Sequence, residues 1–79
     1  MALYKYSDDL TYSNNQAFDK ITNPGHPAPF PGIYKCIGCG VEISSTAGHP
    51  LPPQNHHEHT PSQESIRWQL IVYADHRGK

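Results

Sequence analysis

The sequence predicts a small all-β domain, a three-stranded antiparallel sheet preceded by an irregular N-terminal arm. Three observations carry that expectation. The chain has 79 residues, only 35% of them apolar and eight of them proline, which rules out a large core. Alternation of apolar and polar residues recurs in short runs, the mark of half-buried strands. Two cysteines and a cluster of histidines stand where a staple is needed, because a chain this short buries only about 60% of its unfolded surface.

Residues 1–29 read as the arm. "LYKY" (3–6) alternates long enough for a short strand. "SNNQAFDKIT" (13–22) offers Ser13 as an N-cap with Gln16 three positions on. Ala17, Phe18 and Ile21 would then share one face of a two-turn helix, which needs a surface to pack on because short helices are marginal alone. "NPGHPAPFPG" (23–32) holds four prolines and two glycines in ten residues, so it reads as a connector.

The domain proper is read as residues 30–75, with 76–79 as a tail. "GIYKC" sends Ile33 and Lys35 to one side, Tyr34 and Cys36 to the other. "VEIS" repeats the alternation, with Val41 and Ile43 on one face. Only "IGCG" separates the two runs, which makes a hairpin the economical reading. "STAGHPLPPQNHHEHTP" is polar and broken by proline, hence a loop. "SIRWQLIVYAD" (65–75) is the strongest strand, with Ile66, Trp68, Leu70 and Val72 on one apolar face. No internal repeat or low-complexity tract is read.

Cys36 and Cys39 are the only cysteines, separated by two residues. That is a metal or redox pair and not a disulfide framework. Gly40 follows directly, allowing backbone amides to turn toward the sulfur. Downstream, His56, His57 and His59 lie between Pro53 and Pro61. Zinc takes four ligands in a tetrahedron from thiolate and imidazole donors. Pairing His56 with His59 reproduces the two-residue separation and gives C-x2-C-x16-H-x2-H, a ribbon-type spacing with histidines in place of the second cysteine pair. His57 is the substitute ligand, and His26 and His49 are more distant candidates. The prolines bracket these histidines too closely for the helix of a finger-type site. Either half alone has a plain explanation, as two buried thiols or as a solvated loop. Together, in a fold with no other staple, they point to zinc, with iron, nickel and copper as other metals.

"APFPGIYKCIGCGVEISSTAGHPLPP" resembles the small bacterial zinc-ribbon proteins with rubredoxin-like knuckles, through Gly32, Tyr34, Cys36, Cys39, Gly40, Gly48, Pro52 and Pro53. The resemblance covers about residues 28–59 and implies a ribbon fold. Those families usually carry cysteines in the second knuckle, and this chain has none there. A four-cysteine iron site for electron transfer therefore does not carry over.

Chemistry at the site is not expected. A redox C-x-x-C wants its first cysteine at a helix N-terminus, whereas "GVEIS" after Cys39 is β in character. A hydrolytic zinc needs an open position and a base; Glu58 is the nearest candidate, but no helical H-E-x-x-H exists and the nitrogen and sulfur donors suffice to close the shell. A nuclease of the ββα-metal type would need a helix after its metal-binding strand. Net charge is −1, and the six Lys and Arg are scattered, so no basic field announces a nucleic acid. No signal-peptide pattern opens residues 1–25 and no apolar run nears a span of about 20 residues. The expectation is a non-enzymatic, cytoplasmic zinc protein that meets a protein partner, with nucleic-acid binding and metal-dependent hydrolysis as the alternatives.

Overall fold

A computed structural model describes residues 1–54 and 56–75; the expected tail, 76–79, lies outside the described residues. The molecule is small and all-β, with no α-helix among the described residues. Its strands are β1 (Ile21–Thr22), β2 (Gly32–Cys36), β3 (Glu42–Ser45) and β4 (Trp68–Tyr73). They form one open antiparallel sheet in the order β1-β4-β2-β3.

The expected hairpin of β2 and β3 forms, with Tyr34 opposite Ile43 and Lys35 opposite Glu42. β4 then pairs with the other edge of β2, setting Cys36 opposite Trp68 and Tyr34 opposite Leu70. A register shift between Ile33 and Tyr34 brings Ile33 opposite Val72. The bulge breaks the two-residue alternation, so the buried face of β4 ends at Leu70 and Val72, expected inside, is only half-buried.

Among the described residues the sheet has four strands, one more than the sequence predicts. The extra strand comes from the segment read as a helix. Gln16–Asp19 make only a 3-10 turn, capped by Asn15, whose side chain accepts the Ala17 N–H at 2.8 Å. Ser13, the expected cap, instead accepts from the Asn15 N–H at 3.2 Å. At Lys20 the backbone becomes extended (φ −79°, ψ 132°), and Ile21 and Thr22 pair with Gln69 and Trp68. An open sheet edge supplied backbone partners that a two-turn helix could not match. Ala17 still reaches the core, but Ile21 does not share its face and is exposed. "LYKY" is not a strand: without an edge to pair with, Leu3, Tyr4 and Tyr6 stand exposed.

One core backs the sheet, formed by Tyr34, Cys36, Leu51, Ile66, Trp68 and Leu70 with Ala17 and Ala28 at its margin. The Tyr34 hydroxyl donates to the Phe30 carbonyl at 2.6 Å and accepts the Phe30 N–H at 3.1 Å. Burial raises its pKa, partly offset by the Phe30 bond and helped by Tyr73. Tyr34 thus pins the connector onto the strand it precedes.

The two proline-rich loops are related. Gly25-His26-Pro27-Ala28-Pro29 and Gly48-His49-Pro50-Leu51-Pro52 share the pattern G-H-P-x-P and lie antiparallel, Pro27 opposite Pro50. Their bonds come in matched pairs: Gly25 N–H to Leu51 O (3.0 Å) with Gly48 N–H to Ala28 O (2.8 Å), and Ala28 N–H to His49 O with Leu51 N–H to His26 O, both 2.8 Å. Ala28 and Leu51, at equivalent positions, are both buried. A short internal repeat therefore exists where none was read, five residues long and hidden by unlike flanks.

Candidate metal centre

Two loops meet beyond the end of β2. In the first, Cys36 closes the strand and accepts the Gly40 N–H through its carbonyl at 2.8 Å, while its own N–H reaches the Val41 carbonyl at 2.7 Å. Gly40 holds φ +85°, a left-handed conformation that glycine adopts without steric cost. This turn presents Cys39 beside Cys36. Ile37 N–H to Arg67 O at 2.9 Å ties the turn to the residue before β4.

The second loop is fastened to β4 as well. Trp68 Nε1–H donates to the Pro52 carbonyl at 3.2 Å, and the Ile66 N–H to Gln54 Oε1 at 3.0 Å. After the histidines, Pro61–Gln63 form a 3-10 turn whose entry is closed by the Thr60 N–H on Gln63 Oε1 at 2.7 Å. This turn lies flat on the first loop. A Cβ at Gly38 would stand 3.0 Å from His59 Cε1 and would strike the Gln63 carbonyl. Only glycine lets the loops approach so closely.

The result is a quartet of donors. Cys36 Sγ lies 3.4 Å from His59 Nε2, Cys39 Sγ 3.2 Å from His57 Nε2, and the two Nε2 atoms 3.0 Å apart. All four ligand atoms fall within 4.8 Å of one another. Zinc–sulfur bonds of about 2.3 Å and zinc–nitrogen bonds of about 2.0–2.1 Å would space tetrahedral donors by roughly 3.3–3.8 Å. The quartet has that scale and that chemistry, and is compatible with a structural metal site.

Each imidazole also uses its second nitrogen. His59 Nδ1–H donates to the Glu64 carbonyl at 2.7 Å, and His57 Nδ1 lies 2.9 Å from His56 Nδ1. Glu64 has φ 62° and ψ −155°, a conformation nearly confined to glycine and costing about 1–3 kcal/mol elsewhere. Strained backbone therefore aims the carbonyl that orients His59. The Cys36 thiol is pulled down to about 6: burial pushes it up, but hydrogen bonds from the backbone of Arg67, the side chain of His57 and the backbones of Gly38 and Cys39 together outweigh burial. The thiolate, the form that binds metal, is thereby favoured.

Cys36, Cys39 and His59 meet as the sequence suggests. The fourth donor is His57, the substitute, and His56 lies outside the quartet, exposed. His56 is turned instead toward His57, Nδ1 to Nδ1 at 2.9 Å, whereas the x2 spacing assumed a second turn like that of the cysteines. His26, His49 and Glu58 are exposed and not part of the cluster. Glu64 escaped the sequence reading, because nothing in its side chain signals the work of its carbonyl.

Over 56 residues the chain is 54% identical to "Protein L" of Escherichia coli, a match covering 71% of this chain and 63% of that protein. Over 39 residues it is 46% identical to "Uncharacterized protein Rv1954A" of Mycobacterium tuberculosis, covering 49% of this chain and 39% of that one. The matches thus span less than two thirds of each curated relative. No protein-family model matches the chain, so the zinc-ribbon resemblance has no family match behind it. No solved structure matches either.

Proposed function

We propose that Cys36, Cys39, His57 and His59 bind one zinc ion that holds a ribbon-like fold together, and that the protein is a non-enzymatic, cytoplasmic module directed at a protein partner. The observation that carries this reading is the convergence of four nitrogen and sulfur donors within 4.8 Å. Two thiolates and two neutral imidazoles would close a tetrahedral shell and offset the ion's charge of +2, leaving the formal net charge of −1 unchanged. A closed shell has no position for an activated water, which favours a structural role over hydrolysis.

The staple suits the molecule around it. The two loops it would join meet beside Cys36 and Trp68 of the core, and metal binding there acts as folding energy. Exposed Leu3, Tyr4, Tyr6 and Tyr12 on the arm support a protein-directed surface, and the slight negative charge weighs against nucleic acid.

Metal analysis of the purified protein, joined to a fold readout before and after chelation, tests the reading. One zinc per chain is expected, and chelation should lower the unfolding midpoint steeply. A metal-free preparation with an unchanged unfolding midpoint would sink the staple.

A further inference from the structure

We propose that His56 is a positioning residue of this centre. Its Nδ1 accepts the Nδ1–H of His57, fixing the tautomer and ring orientation that turn His57 Nε2 toward the metal. This rests on the metal-binding reading above.

The chemistry follows from two contacts on one ring. His57 Nε2 faces Cys39 Sγ at 3.2 Å and His59 Nε2 at 3.0 Å, so in a metal-bound state it carries no proton. A neutral imidazole then bears its proton on Nδ1. That nitrogen faces His56 Nδ1 at 2.9 Å, which must therefore offer its lone pair and keep its own proton on Nε2. His59 makes the equivalent outer bond to the Glu64 carbonyl at 2.7 Å. Both imidazoles thus have one inner and one outer partner, the arrangement by which outer groups orient metal-binding histidines.

His56 is itself held in place. Its N–H donates to the Pro53 carbonyl at 2.9 Å, and its ring stands edge-on to the fully buried Trp68 with centroids 6.1 Å apart. The His57 ring meets the same tryptophan at 6.0 Å and lies at 87° to the His56 ring. With Nδ1 occupied by His57, His56 has no second role inside the quartet. The H-H-x-H run is therefore divided into one outer residue and two donors.

The test uses an isosteric distinction. The Oδ1 of asparagine lies as many bonds from Cα as Nδ1 of histidine, whereas the Oε1 of glutamine lies one bond further. His56→Ala should weaken zinc binding about 10–100-fold, measured by competition with a chromophoric chelator. His56→Asn should restore most of the loss, and His56→Gln should not. NMR of the zinc-loaded protein should show a His57 Nδ1–H protected from solvent exchange in the wild type and His56→Asn, and a rapidly exchanging one in His56→Ala. Unchanged affinity with unchanged protection of the His57 Nδ1–H in His56→Ala would overturn the proposal. So would a loss as large as that of His57→Ala without rescue by asparagine, since His56 would then be a ligand. A wild-type chain that takes up no zinc sinks the centre itself; a His57 Nδ1–H that exchanges freely in the zinc-loaded wild type sinks the positioning role alone.

Discussion

Glu64 shows how much of this site is written in backbone. Its side chain is exposed, yet its positive φ is what delivers a carbonyl to His59. Glu64→Gly should therefore keep metal binding and raise stability by about 1 kcal/mol, the strain relieved being larger than the entropy cost of glycine. A lower denaturant midpoint would instead show that the side chain is needed. Cys36 gives the pH dependence. Its thiol is depressed from 9.0 to about 6 in the folded chain, so the folded state binds the proton less readily than the unfolded state. In the metal-free protein this contribution is complete above pH 9 and is lost as pH falls toward about 6. Unfolding midpoints of metal-free protein should rise from pH 6 to 9 alongside thiolate ultraviolet absorbance; a flat profile would count against the thiolate. Cys36 and Cys39 were legible from spacing, but the division of labour among three neighbouring histidines was not. Spacing does not say whether the chain turns or runs straight between them.

Among the elements, β2, β3 and β4 were legible because alternation and a hairpin-length gap are local properties. β1 was not, since two residues carry no periodicity and become a strand only against the edge of β4. That edge pairing leaves a trace. Thr22 is buried opposite Trp68, and its Oγ1 has no hydrogen-bond partner among the described residues. Thr22→Val keeps the β-branched shape and removes the unsatisfied hydroxyl, so stability should rise by about 1 kcal/mol. Thermal unfolding measures it. A loss would mean that the hydroxyl finds a partner in solution, such as an ordered water. The Pro61–Gln63 turn was likewise invisible as part of the site, although it sets the distance between the loops through its contact with Gly38.

The whole molecule depends on one thin core shared by sheet and loops. Leu51 comes from the proline-rich loop and is as deeply buried as Tyr34 from the sheet, so neither layer has a core of its own. Leu51→Ala should cost about 2–5 kcal/mol, a large part of the roughly 4–12 kcal/mol available to a chain of 79 residues. Calorimetry of the metal-loaded protein should show one transition moved down. Two separated transitions would argue that the loops fold apart from the sheet.

The chain alone determines that this is a small all-β domain, where its main strands run, and that Cys36 and Cys39 stand as a closely spaced pair. Those are consequences of composition, alternation and short-range spacing. Tertiary structure decides the rest: that Ile21 and Thr22 become a strand, that the two G-H-P-x-P loops pair, that His57 joins the quartet and His56 stands behind it. Each depends on which surfaces meet across distant parts of the chain, and no local pattern records that.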